Sequence, residues 1–354
     1  MKSHSKTSDE RDRPMLLIGP HLRPNHSNPG GATVSYASLL LLLAEHNIVF
    51  QSINTQMYSG ALATSRNWFY VLRKYFHLIW HSDTVFINVS SNGLRYLAPF
   101  LTIITHGLAK RMIIRPFGGN YLQLYQTMNY VEKYLHRATV LRADILFLQT
   151  RELCDAFAQI ATKVVHLSTS RTRPASKGRE KSNSYRKRYV YVGHIKSSKG
   201  IAEILQAATE LDESYTIHIY GPIVEPDLAF LRDDPDIYCG MITGDVYKVL
   251  AKYDVLILPT YYEGEGYPGV IIEAFAMGLP VISTNWKCIP EIVDQGQTGF
   301  LIEPRSAQAL KEAIIQINKS NYPKMSEAAH ASFLRHYDSR IVGKKMLDTI
   351  RSIP

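Results

Sequence analysis

Glu265 and Glu273 lie in one stretch, Glu263 to Glu273, that reads EGEGYPGVIIE, with seven residues between them. On one continuous helix they would differ by roughly 80° around the axis. With Glu265 on a loop and Glu273 two turns into a helix, both reach one bound molecule. The elements needed to place them so are written on either side. Val255–Pro259 (VLILP) is a short apolar run of the kind that forms a buried parallel strand. Pro268 falls where a helix would begin and Gly278 where it would stop, the favoured asymmetry of helix ends. Strand, glycine-rich loop and helix N-terminus aim free backbone N–H groups and the positive end of a dipole into one crevice. A phosphate or another anion belongs there.

Lys196 and Lys199 flank a second predicted strand-to-helix loop, Gly193 to Gly200. They are either surface lysines at a helix start or a phosphate clamp, and the clamp gains weight because both loops would face one cleft. Gly30-Gly31, before another predicted helix, is either a tight turn or a place where an acceptor or phosphate approaches the backbone. Arg115, at the end of an apolar strand and before Phe117-Gly118-Gly119-Asn120, is either a fixed ion-pair partner or a contact to a substrate anion.

Two patterns mislead. Gly264, Gly266 and Gly269 spell G-x-G-x-x-G, the dinucleotide fingerprint of a dehydrogenase. That fingerprint wants an acidic residue at the end of the next strand, where Ser283-Thr284-Asn285-Trp286-Lys287 stands, and Glu265 would set a negative charge beside a pyrophosphate. Asp234-Pro235-Asp236 resembles a metal-binding D-x-D and reads better as a turn, because Asp and Pro dominate turns. The histidines show no clustered ligand spacing.

With 354 residues the chain suggests two domains, and 45% hydrophobic with 20% charged residues is an ordinary globular composition. Strands alternate with helical stretches from Met15–Gly19 through Lys163–Leu167, and again from Arg188–Val192 onward, with Ile237–Cys239 read as a short strand and Val281–Thr284, Pro290–Asp294 and Phe300–Ile302 continuing the alternation. Such alternation implies βαβ units and parallel sheets. The expected fold is α/β, two Rossmann-like domains facing across a cleft, with ligands at the carboxyl ends of the strands. The expected organisation is a disordered tail over 1–13, a first domain over 14–171, a basic linker over 172–187, a second domain over 188–335, and a C-terminal helix over 336–354 that returns to the first domain.

Net charge is +9, and Arg171 to Arg188 alone hold eight Lys/Arg against one Glu. Such a run is a solvated linker or meets phosphates, nucleic acid or an anionic membrane surface. Three scattered cysteines form no disulfide or metal framework, which fits a reducing cytoplasm. No apolar run approaches a membrane span, so any membrane contact is expected to be peripheral.

These residues together resemble a retaining, GT-B-fold glycosyltransferase of glycosyltransferase family 4 (glycosyl transferases group 1). The resemblance is carried by Asp254 to Leu301, which holds the E-x7-E pair Glu265 and Glu273, Gly278-Leu279-Pro280, Pro290-Glu291 and Gly299-Phe300. Tyr191 to Gly200 is similar to the family's V-G-R-h-x-x-x-K-G loop, Ile219-Tyr220-Gly221-Pro222 to its nucleotide-facing strand end, and Gly30-Gly31 to its N-terminal glycine pair. The resemblance implies that Glu273 bonds the ribose hydroxyls of a nucleotide-sugar and that Glu265 contacts the donor sugar near its reacting face. It implies that backbone amides of Gly266, Tyr267, Gly269 and Val270 meet sugar and phosphate, and that Lys199 neutralises the leaving diphosphate. Gly193, His194, Lys196 and Gly221 complete the implied donor site. The pattern's loop arginine is His194 here, so its share of diphosphate binding either passes to Lys196 or is weaker. The family's histidine after the fourth strand is matched by Arg115-Pro116-Phe117-Gly118, so acceptor contacts do not carry over.

The expected function is transfer of a sugar from a nucleotide-sugar, UDP-linked by this reading, to a saccharide or lipid-linked saccharide with anomeric configuration retained. The nucleotide-sugar is a co-substrate, and no cofactor, metal or nucleic-acid partner is expected. The alternatives are a nucleotide-sugar epimerase or sugar phosphorylase of the same fold, and a non-catalytic nucleotide-sugar-binding protein.

Overall fold

The structure, a computed structural model, describes residues 13–22, 31–58, 63–174 and 185–353. The first half alternates β1 (Met15–Gly19), α1 (Gly31–Glu45), β2 (Phe50–Asn54), α2 (Ala63–Leu78), β3 (Thr84–Val89), α3 (Ala98–Gly107), β4 (Arg111–Pro116), α4 (Tyr121–Thr127), α5 (Tyr130–Ala138), β5 (Ile145–Leu148), α6 (Arg151–Phe157) and β6 (Val164–His166). The second half runs β7 (Arg188–Val192), α7 (Ile201–Thr209), β8 (Thr216–Tyr220), α8 (Val246–Leu250), β9 (Val255–Leu258), α9 (Gly269–Ala276), β10 (Val281–Thr284), β11 (Gly299–Ile302), α10 (Ala307–Gln316), α11 (Tyr322–Ser332) and α12 (Ser339–Arg351).

The strands form two sheets, ordered β2-β1-β3-β4-β5-β6 and β11-β10-β9-β7-β8, with every neighbouring pair parallel. Each order reverses once, between β1 and β3 in the first sheet and between β7 and β9 in the second. At such a reversal the loops leaving adjacent strands part toward opposite faces and open a crevice. In the second sheet those two loops are the Lys199 loop after β7 and the Glu265 loop after β9.

Both faces of the first sheet are covered, and strand residues alternate between them. Leu16 and Ile18 join Val71, Tyr75 and Leu101 on one side; Met15 and Leu17 join Tyr36, Leu39 and Leu43 on the other. α12 packs Val342, Met346, Leu347 and Ile350 into this second layer, so the C-terminal helix lies on the first sheet. A separate core surrounds β7, β9 and β10. Among the described residues no helix is long and apolar enough to cross a membrane.

Two expectations need correction. Pro268 is not the first helical residue; its ψ of 116° is extended, and α9 begins at Gly269. Ile237–Cys239 makes a single bridge, Ile219 to Tyr238, rather than a strand. Between β10 and β11, residues 289–291 form a 3-10 turn. Gly278 does close α9, with φ +72°.

α5 buries one imidazole. His136 is 1% exposed, its Nε2 lies 2.8 Å from the Tyr121 hydroxyl, and Tyr125 and Tyr121 rings flank it. Burial pulls its pKa down to about 4, against 6.5 when free. The unfolded chain therefore takes up a proton between these values while the fold does not. Stability is unaffected above about pH 6.5 and falls as pH drops toward 4, by up to about 3 kcal/mol from this group. Urea unfolding of the chain and of His136→Asn across pH 4–7 should give a difference that shrinks as pH falls. Parallel curves would refute the assignment.

Candidate functional site

A cleft of about 1100 Å³ opens at the carboxyl ends of the second sheet's central strands. Its walls are the start of α1 (Gly31, Val34, Ser38), the loop after β7 (Gly193, His194, Lys196, Lys199), the loop after β9 with the start of α9 (Tyr262, Glu265, Gly269, Val270, Glu273), and Arg171 to Pro174.

Glu265 is 8% exposed and must be paired to remain charged. Its Oε2 accepts a hydrogen bond from Thr260 Oγ1 at 2.8 Å and forms an ion pair with Lys199 Nζ. Lys199 stands in a 3-10 turn, Ser197–Lys199, just before α7, where the helix dipole disfavours a cation. Glu265 answers that charge from the neighbouring loop. The Lys196 and Lys199 ammonium groups also lie 4.8 and 4.9 Å from the centre of the Tyr262 ring. Gly200, with φ +77°, lets the turn pass under Pro259: a Cβ there would stand 2.3 Å from the Pro259 carbonyl oxygen. Tyr191 braces the loop from below, its hydroxyl donating to the His194 carbonyl at 2.8 Å. Burial, with Glu265 nearby, pushes that phenol's pKa up.

Glu273 faces the same cleft from inside α9 and pairs through Oε1 with Arg171 Nε at 2.7 Å. Gly269 and Val270 present the helix start to the cleft. Gly266 instead packs against the other domain, where a Cβ on Gly119 would lie 2.2 Å from the Glu265 carbonyl oxygen. The Gly118-Gly119 pair thus lets the first domain's backbone press on the carboxylate loop. The Tyr267 side chain turns away from the cleft and donates to Glu291 Oε2 at 2.6 Å. Glu291 also accepts from the backbone N–H groups of Arg151 and Glu152, which start α6 in the first domain. One carboxylate therefore ties the site loop, the second domain and the first domain together.

Gly193, His194 and Lys196 line the cleft; Gly221 lies behind them, at φ +144°, where a Cβ would stand 1.8 Å from the Gly193 carbonyl oxygen. Gly31 lines the far wall, and Gly30 lies outside the described residues. Arg115 fits neither reading offered for it. It is 4% exposed, sits beside a small void with Ser35 and Ser170 rather than the main cleft, and makes no ion pair among the described residues. Its guanidinium stacks near Phe117 at 5.4 Å, and burial, with Arg171 adding repulsion, lowers its pKa to about 10.

The basic run from Arg171 to Arg188 is not one outward patch. Arg171 points into the cleft and Arg173 pairs with Asp338, which is fully buried; residues 175–184 lie outside the described residues. Sequence reasoning missed Arg171, Thr260 and Tyr262. A polar residue just past a buried strand was a usable signal for Thr260, but nothing local marks Arg171. Asp234-Pro235-Asp236 forms a turn, the Asp234 carbonyl accepting from Ile237 and Tyr238 N–H groups. Among the described residues no three His, Cys, Asp or Glu side chains gather as a metal would need.

Residues 186–320 match the family model described as glycosyl transferases group 1. The putative teichuronic acid biosynthesis glycosyltransferase TuaC of Bacillus subtilis (strain 168) is 31% identical over 153 residues, 42% of this chain and 38% of the relative. The capsular polysaccharide biosynthesis glycosyltransferase CapM of Staphylococcus aureus is 32% identical over 133 residues, 35% of this chain and 34% of the relative. The chain thus matches well under half the length of these curated relatives. Over the whole chain the backbone is similar to Anabaena Alr3699/HepE solved with UDP (TM-score 0.71, 14% identity, 96% of this chain and 100% of that one). It is also similar to sucrose-phosphate synthase from Thermosynechococcus elongatus (TM-score 0.73, 16% identity, 96% and 98%). The fold is GT-B, two parallel-sheet α/β domains, and the second carries the group 1 match.

Glu291→Ala removes the acceptor for two helix N–H groups and one phenol. Three orphaned donors should cost about 1–3 kcal/mol in the coupling of the two domains. Amide exchange across residues 263–269 should accelerate in Glu291→Ala, and less in Tyr267→Phe. Unchanged exchange in both variants would show that this tie does not hold the loop.

Proposed function

We propose that this chain is a retaining, metal-independent glycosyltransferase that moves a sugar from a UDP-sugar to a saccharide or lipid-linked saccharide. The observation that carries the reading is the meeting, in one cleft at the sheet reversal, of the Lys199–Glu265 pair, the α9 N-terminus and Glu273. A helix N-terminus with a lysine beside it suits a diphosphate. Glu273, whose Oε2 has no donor among the described residues, suits ribose hydroxyls. Glu265 stands between these and the first domain, where a donor sugar would lie. As the sugar–phosphate bond breaks, charge grows on the diphosphate, and Lys199 with the α9 amides stabilises it. The second domain takes the donor and the first, through Gly31 and its neighbours, the acceptor. The UDP in the HepE complex and the relatives' names, teichuronic acid and capsular polysaccharide biosynthesis, support a uridine nucleotide and a cell-surface polysaccharide product. This reading places the enzyme in the cytoplasm, with peripheral contact at an anionic membrane.

Lys199 contributes most where the leaving charge is largest, in the transition state. Lys199→Ala should lower kcat more than it raises the donor KM, and Lys196→Ala should do less. Steady-state release of UDP with a saccharide acceptor, run with a chelator present, measures both. Transfer at the parental rate by Lys199→Ala, or loss of activity on chelation, would overturn the role. Conversion of the UDP-sugar to an isomer without acceptor would mark an epimerase instead.

A further inference from the structure

The connection leaving the first sheet delivers a guanidinium to the second domain's site. Arg171 is held there through its backbone: its N–H donates to the Tyr337 carbonyl at 3.0 Å, and its carbonyl accepts from Ser339 N–H at 2.9 Å. Its side chain is 8% exposed. Nε donates to Glu273 Oε1 at 2.7 Å and Nη1 to the Ser170 carbonyl at 3.1 Å. Nη2 has no acceptor among the described residues. It lies against the first residue of α9, so close that a Cβ on Gly269 would stand 1.8 Å from it.

A guanidinium nitrogen that lines the cleft without a protein acceptor, set on the positive end of a helix, is an electrostatic conflict. Glu273 offsets one charge. Arg115 stands behind, without an ion pair among the described residues, and the α9 N–H groups add more positive potential. This wall of the cleft is therefore short of negative charge. The cleft is far larger than one phosphate, and the anion-poor wall adjoins a carboxylate oxygen open to hydroxyls. A nucleoside diphosphate satisfies both.

We infer that Arg171 is a donor-binding residue whose Nη2 contacts the diphosphate at the α9 N-terminus while Nε keeps Glu273 oriented toward the ribose. The inference rests on the donor reading above. It makes diphosphate recognition depend on a residue outside the matched domain, supplied by the crossing between domains.

Calorimetric titration of the whole chain with UDP and with uridine tests it, with thermal unfolding as the check on folding. The parental chain should bind UDP more tightly than uridine. Arg171→Ala should weaken UDP by about ten- to a hundredfold, the scale of one charge-assisted hydrogen bond, and uridine by less than about threefold. Arg171→Lys keeps a cation for Glu273 and so guards against misfolding. It should still lose UDP affinity selectively, because one ammonium cannot span both partners as the planar fork does. Equal losses for UDP and uridine, or none, would overturn the phosphate contact and leave Arg171 a brace for Glu273. A parental chain that binds neither ligand would overturn the donor reading itself.

Discussion

A carboxylate with almost no water around it has to be held by cations and donors, and Glu265 is such a group. Lys199 and Thr260 hold it from within its own domain, while the first domain's Gly119 presses on its backbone. Each partner fixes something else. Lys199 reaches it because Gly200 folds the loop under Pro259, and Gly119 approaches because neither it nor Gly266 has a side chain. The cleft keeps its shape because one charge needs all of these at once.

A second carboxylate repeats the arrangement eight residues along the chain. Glu273 pairs with Arg171, and Arg171 is anchored to the segment that carries the chain back to α12. Glu291 does the same on the reverse side, joining Tyr267 to the start of α6. All three acids of the Glu265-to-Glu291 region therefore meet partners brought from far along the chain. Buried ion pairs of this kind add little net stability, because desolvation offsets their attraction, but removing one member is costly. Their effect is to fix geometry between elements that otherwise touch through loops.

Much of this was legible in the sequence where local rules act. Apolar runs bounded by Gly and Pro marked β7, β9 and β10, and Gly278 marked the end of α9, because strand burial and left-handed turns constrain residue type directly. The Glu265 and Lys199 loops could be assigned to one cleft from the βα order alone. What failed was long-range. Arg115 follows a strand, as a site residue would, yet β4 ends beneath α1 and its side chain is buried away from the cleft. Arg171 looked like the first charge of a linker because its anchor, the backbone of Tyr337 and Ser339, lies more than 160 residues on. Ile237–Cys239 had strand composition, but it meets β8 only at Ile219, in a single bridge.

Gly269 and Arg171 share one small volume, and that sharing gives the chain a memory of the order of change. A methyl group added at 269 while Arg171 is present would occupy the space of Nη2, 1.8 Å away, and push the guanidinium tip off the α9 start into the cleft. Shortening 171 first empties that space, and a methyl at 269 then fills it. Of the two routes to the same double substitution, one passes through an intermediate whose guanidinium has moved off α9 and the other does not. Once the second route is taken, restoring the arginine alone does not return Nη2 to its place against α9.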